Sequence, residues 1–275
     1  KNDRIFVVSS IFGGTGAAGA VWIQSGTLIM EGKAEICHMN GRAIYADGKG
    51  SSVTVNGKIH NLTGNSAMWG GIGGVAMHLR NYTEADWYGE ISNINCNDNN
   101  SNTVLVTVHS NLRMHQYAQL HDVTSGMGIQ VYGNQGSTLY MDGEITRCVN
   151  SAIHMNCDSA HDPALKPQGN NVLKVTIGSN GDIHHNTGGY GNVTMQTYNA
   201  TLDVYGKIRD NYAGPAGIGM AWNHDTTTVT LHRGAQITGN VSSGSSGVTV
   251  AKGTVIMEEG AIVSGNIPQA APLAS

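Results

Sequence analysis

The sequence predicts an all-β chain: a right-handed parallel β-helix, a solenoid of about nine coils with three short strands in each. Three observations carry that expectation. A phrase recurs at roughly coil length, apolar residues alternate within it, and three strand-like segments keep the same order from copy to copy. The phrase is clearest at 201–211, TLDVYGKIRDN. It holds an alternating apolar run, a glycine, a polar residue, an isoleucine, and polar residues ending in asparagine.

Anchored on its glycine, the phrase falls at Gly32, Gly57, Gly89, Gly143, Gly181, Gly206, Gly234 and Gly260. Ser110 stands in for glycine in a ninth copy, VTVHSNLRMH. A steady phrase at irregular spacing means a fixed scaffold with loops of different length. Ahead of the glycine, pairs such as Leu28 and Met30, Val53 and Val55, or Leu202 and Val204 alternate with polar residues, which makes a strand with one buried face. Ala85 and Trp87 break the pattern and leave the third coil's register open. Isoleucines after the glycine (Ile36, Ile59, Ile91, Ile145, Ile183, Ile208, Ile237, Ile262, with Leu112 in the ninth copy) mark a second core strand. The third lies upstream, in segments such as AVWI at 20–23, IQVY at 129–132 and AIHM at 152–155.

The glycine is expected to supply a positive φ at a tight corner. Asn40, Asn95, Asn186, Asn211, Asn240 and Asn266 suit the next corner, where their amides can stack as a ladder. A β-sandwich would want hairpin turns every 8–12 residues or so, and Asn56-Gly57 and Asp142-Gly143 fit that signal. The coil-length recurrence and the constant order of segments favour the solenoid.

Composition narrows the function classes. Charged residues are 12% of the chain, 15 basic against 19 acidic, so there is no basic field for nucleic acid. No apolar run approaches the ~18 residues of a membrane span. With 38 glycines and few charges, solubility rests on Asn, Ser, Thr and His, a surface that suits an extracellular location. Cys37, Cys96, Cys148 and Cys157 form no CxxC pair and read as buried free thiols; Cys148 and Cys157 are the best candidates for a bridge. Residues 1–267 read as one domain with 1–18 as its cap. PQAAPLAS at 268–275 reads as the start of a linker within a larger multidomain surface protein.

The stretches TLIMEGKAEI, STLYMDGEIT and TVIMEEGAIVSGN resemble the degenerate repeats of bacterial surface and adhesin-like proteins, within the pectate-lyase-like right-handed β-helix superfamily. The resemblance covers residues 19–267. It implies the fold, but the superfamily holds polysaccharide lyases, glycosidases, phage tailspikes and non-catalytic adhesins, so it does not choose an activity.

Outward residues of the upstream strand form the expected contact row: Trp22, Tyr45, His78, Gln130, Tyr132, His154, Asn156 and Gln196. Rings cover the C–H faces of sugars, while amides and imidazoles bond to hydroxyls. Insertions at 113–127, 156–171 and 66–74 are expected to wall a groove over His78, Gln130, Tyr132 and His154. Asp158, His161 and Asp162 are the candidate metal ligands, with calcium the ion considered. A glycosidase would need two carboxyls about 5–9.5 Å apart, for which Asp122, Asp158 and Asp162 are the candidates. The row itself has neither lysine nor an acidic cluster, which disfavours a lyase. The expectation is therefore a binding region of a bacterial cell-surface adhesin, secreted or displayed, that recognises a glycan or a host surface protein. The alternative is a polysaccharide lyase or glycoside hydrolase.

Overall fold

The computed structural model describes residues 4–16, 19–64, 74–99, 101–133, 135–157, 172–188, 191–214, 217–220, 226–242, 244 and 247–268. Within these residues the chain is all-β and coils in the order sheet 3, sheet 1, sheet 2. Sheet 1 has ten strands, from Arg4–Val7 to Thr254–Met257; sheet 2 has ten, from Ile11–Gly16 to Ile262–Ser264; sheet 3 has nine, from Val21–Ile23 to Val248–Val250. A fourth sheet joins Tyr212–Ala213, Val241–Ser242 and Ile267–Pro268. All pairings are parallel, for example Leu28 with Val53 and Val53 with Ala85. The right-handed parallel β-helix expected from the phrase is the fold. Strands Arg4–Val7 and Ile11–Gly16 extend sheets 1 and 2 into the stretch read as a cap.

The core fills the tube with one side chain per inward position. Leu28, Met30, Val55, Ile59, Ile91, Leu139, Ile145, Val175 and Ile208 are all essentially buried. Ala85 and Trp87 keep the register: both are buried, and Trp87 Nε1 donates to Gly89 O at 3.0 Å, which satisfies the one polar atom of the indole. All four cysteines are buried and free, so Cys148 and Cys157 are not bridged.

The ninth copy needs correction. Asn102–Thr107 belongs to sheet 3, with Val104 facing Met77 and Ile129, while Leu112 pairs with Ala85 and Leu139 in sheet 1. The isoleucine-type position of this coil is Leu120, between Ile91 and Ile145. Alignment on Ser110 assigns Val106 to sheet 1 and Leu112 to sheet 2, in each case one sheet too far along the coil. The supposed insertion 113–127 is in fact ordinary coil, carrying strands Asn111–Met114 and Gln119–Ser125. In the last coil it is Val263, not Ile262, that pairs with Ile237.

The corners also work differently from the expectation. Gly57, Gly89, Gly143 and Gly206 have no left-handed φ. They are glycines because a Cβ would collide with the carbonyl oxygen of the coil beneath, at Ala34, Gly57, Ala118 and Gly181 respectively. Positive φ is found at Gly234 and Gly260, in a longer corner. The systematic left-handed residue instead lies two positions after the isoleucine. Gly13, His38, Asn61, Asn93, Asp122, Arg147, His185, Asp210, Gly239 and Gly265 all have φ between 52° and 69°. That bend resets the alternation, so the residue after it also points inward.

This inward column runs Met39, Leu62, Ile94, Val123, Cys148 and then changes to Asn186, Asn211, Asn240, Asn266. The four asparagines form the expected ladder, each Nδ2 donating to the next Oδ1 at 3.1, 3.0 and 2.9 Å. Each Nδ2 also donates to an isoleucine carbonyl, of Ile145, Ile183, Ile208 and Ile237 in turn. Burial of these amides is therefore compensated bond for bond. Asn40 and Asn95 are not part of the ladder; they are exposed on the outer face.

Candidate functional site

Sheet 3 places the anticipated row in register. Trp22 pairs with Tyr45, Tyr45 with His78, His78 with Leu105, Leu105 with Gln130, and Gln130 with His154. Beside it, Tyr132 pairs with Asn156 and Asn156 with Gln196. Leu105, the member supplied by the overlooked strand, is apolar and buried.

Exposure separates the row into parts. Trp22 is 51% exposed, and Tyr45, Tyr132, Asn156 and Gln196 are half-buried. His78, Gln130 and His154 are buried. His154 Nε2 lies 3.0 Å from Gln196 Oε1 and Nδ1 lies 2.7 Å from the Met127 sulfur, so the imidazole is engaged on both sides. Burial lowers its pKa to about 4. Burial also lowers that of His78 to about 3, helped by the charges of Arg42 and Arg80. Around Tyr45 the stack continues, with Trp22 at 6.0 Å, His78 at 5.1 Å and the Arg42 guanidinium 4.4 Å from the ring centre. Asp158, His161 and Asp162 lie outside the described residues.

Asp122 sits on strand Gln119–Ser125, away from sheet 3, at one of the left-handed bends. Arg147 grips it through Nε and Nη2 at 2.6 and 2.9 Å, and His121 Nδ1 lies 2.7 Å away. The Arg147 hydrogen bond holds its carboxyl down at about 2.

A second surface has the openness that the middle of the row lacks. At the corner between sheets 1 and 2 lies an open groove of about 540 Å³, within the usual range for ligand sites. Gln116, Tyr117, Gln119, Asp142, Glu144, Asn180, Asp182, His184, Lys207 and Arg209 line it. Four successive coils supply these residues from equivalent positions. The residue before each isoleucine-type position faces outward, giving the column Gln119, Glu144, Asp182, Lys207. The corner turn supplies Tyr117 and Asn180.

Hydrogen bonds fix the floor of the groove. Asp142 accepts from the Asn180 backbone N–H at 3.0 Å and from Nδ2 at 2.9 Å. Gln119 Nε2 donates to Glu144 at 3.0 Å, and His184 Nε2 lies 2.7 Å from the same carboxylate. Arg209 reaches Asp182 through Nε and Nη2, the latter at 2.9 Å. Burial raises the Glu144 pKa, but the hydrogen bonds from His184 and Gln119 outweigh it, and the net shift is downward.

Tyr117 is the unusual member. Five corners close the same four-residue turn, in which an N–H returns to a carbonyl: Ala34 to Glu31, Ala118 to His115, Gly181 to Gly178, Ala235 to His232 and Ala261 to Glu258. At its third position, Gly234 and Gly260 have φ of 91° and 89°, whereas Lys33 and Asn180 are not left-handed. Tyr117 occupies that same position with φ 74° and is 83% exposed. Glycine is the natural residue there, and a bulky side chain costs strain. Tyr88 and Tyr140 stand exposed on the two adjacent coils, and Tyr205 three coils beyond that of Tyr117. Tyr88 stacks on His115 and Tyr205 on His232, each at 4.0 Å.

The columns of this corner are legible once the phrase is aligned on its isoleucine, because the residue before it is polar coil after coil. The misplaced ninth copy hid Tyr117 and Gln119 inside a presumed loop. Among the described residues no helix is long and apolar enough to cross a membrane. No protein-family model, no curated protein and no solved structure matches the chain.

Proposed function

We propose that the chain is the ligand-binding region of a bacterial cell-surface adhesin, and that it grips a glycan along the corner between sheets 1 and 2. The observation that carries this reading is Tyr117, an exposed aromatic ring held in a left-handed backbone conformation that the last two corners of the solenoid give to glycine. Strain kept at an exposed tip, with no core to stabilise, points to use of the ring itself. A tyrosine above Gln119, Glu144, Asp182 and Arg209 offers a flat apolar face beside fixed donors and acceptors, which is what a neutral or weakly charged sugar requires. The adhesin assignment rests on the resemblance of the repeats. A binding role is preferred to hydrolysis because Glu144 is held below its ordinary range, opposite to what a general acid needs.

Glycan arrays followed by calorimetry test the proposal. Tyr117→Ala is expected to weaken binding about tenfold or more. Tyr117→Gly is expected to weaken binding to the same extent while stabilising the fold by about 1 kcal/mol, because the left-handed strain is released. Trp22→Ala and Tyr132→Ala, on sheet 3, should leave affinity unchanged. Loss in the sheet 3 variants with none in Tyr117→Ala would move the site back to the sheet 3 row. Absence of any glycan ligand would overturn the function.

A further inference from the structure

A second constellation lies on the outer face of sheet 2, nearer the N-terminal end of the solenoid. Glu35 and Cys37 are two apart on strand Glu35–Gly41 and so share a face, and Cys37 pairs directly with His60 on the next strand. A carboxylate oxygen, a thiol sulfur and an imidazole nitrogen thereby converge from two adjacent rungs. Their ligand atoms all lie within 4.8 Å of one another.

We propose that Glu35, Cys37 and His60 form a binding site for a zinc-class divalent transition metal ion. The donor set selects the ion: a thiolate and an imidazole suit zinc, whereas calcium and magnesium take oxygen ligands. The burial pattern supports the assignment independently of proximity. His60 Nε2 is buried with no hydrogen-bond partner, and its approach to Glu35 Oε2, at 3.6 Å, is too long for one. A buried polar atom without a bond is the exception in folded proteins and calls for an occupant.

The remaining geometry fits. In a tetrahedral zinc site the donor atoms are about 3.5 Å apart; Glu35 Oε2 and His60 Nε2, at 3.6 Å, already have that spacing, so the gap to be closed is the one to the Cys37 sulfur, within 4.8 Å. The Glu35 side chain is 43% exposed and free to supply that movement, while Cys37 is nearly fully buried and fixed. Asn61 lies 3.0 Å from His60 Nδ1. The atom facing it is the amide nitrogen Nδ2; a turn of the amide brings Oδ1 there instead, to accept from Nδ1–H and leave the Nε2 lone pair for the metal. Cys37 gives up its thiol proton to solvent as the sulfur–metal bond forms, so binding releases one proton and weakens as pH falls. Three protein ligands leave a fourth position for water.

Reduced, tag-free protein titrated with zinc ion in competition with a chromophoric chelator tests the site, with cobalt(II) as the optical probe. The expected result is one equivalent bound and a thiolate-to-cobalt charge-transfer band. Cys37→Ser and His60→Gln are each expected to weaken binding about 100-fold, and Glu35→Gln about tenfold. Zinc should raise the thermal midpoint of the wild type and leave that of Cys37→Ser unchanged. Should the two inner variants misfold, Glu35→Gln, at a half-exposed position, carries the test alone. Absence of competitive binding, or affinity undiminished in Glu35→Gln and the other variants, overturns the proposal.

Discussion

A single glycine in this fold is defined by what lies one coil below it. Gly89 sits against the carbonyl oxygen of Gly57, and a methyl group there has nowhere to go. Gly32 belongs to the same sequence phrase but sits in the longer turn, with nothing within 4 Å of where its Cβ would be and no left-handed φ. Gly89→Ala is therefore expected to destabilise by about 1–3 kcal/mol, and Gly32→Ala to change stability by no more than about 0.5 kcal/mol. Chemical denaturation of both variants checks the contrast, and equal effects would contradict the assigned corner geometry. The phrase predicts a glycine at both positions and a single reason for it. Only the stacking separates crowding at Gly89 from turn placement at Gly32, because the crowding atom belongs to residue 57.

Among the elements, sheet 3 differs from the others by burying imidazoles on its outward row. His78 faces Tyr45, Arg42 and Arg80, and His154 faces Gln130, Gln196 and Met127. Both are neutral in the folded state, with pKa values of about 3 and about 4 against 6.5 when unperturbed. Above pH 6.5 neither state binds these protons and no stability is lost. As pH falls below 6.5 the unfolded chain takes up two protons that the native chain refuses. Stability then drops by up to about 2.7 kcal/mol per pH unit until near pH 4, where His154 charges in the native state too. Glu90 and Glu144, lowered from 4.5, and Asp122, lowered from 3.8, add to the loss only at the acid end of this window, below about pH 5. Urea midpoints between pH 7 and 4.5 measure the slope. His154→Gln should remove about half of it, and an unchanged slope would show that His154 is not buried neutral. The register of this row was readable from the sequence, since alternate residues on paired strands must line up. Its exposure was not, because alternation tells inside from outside but not whether something lies over the outside.

Across the whole molecule, each coil touches only its neighbours, so stability is a sum of coil and interface terms. Among the described residues, strands Arg4–Val7 and Thr254–Met257 pair on one side only. Val255 and Met257 are 38% and 53% exposed at one end, although the inward residues they pair with, Val229 and Leu231, are buried. Amide hydrogen exchange should accordingly be slowest in the central strands 102–107 and 127–132 and fastest in 4–7 and 254–257. Uniform protection along the solenoid would mean that it unfolds as one cooperative unit.

The sequence by itself determined the solenoid, its sheet order, the core columns and the asparagine ladder. Each follows from a local two-residue alternation repeated at coil length, and translation along one axis turns local pattern directly into contact. The tertiary structure alone decided where a ligand has access. It buried His78, Gln130 and His154, opened the corner around Tyr117, and brought Glu35, Cys37 and His60 together. Those outcomes depend on atoms that are distant in sequence, on turn conformations differing between look-alike corners, and on the exact strand to which residues 102–114 belong. A repeat fixes which face a side chain is on; only packing fixes what that side chain meets.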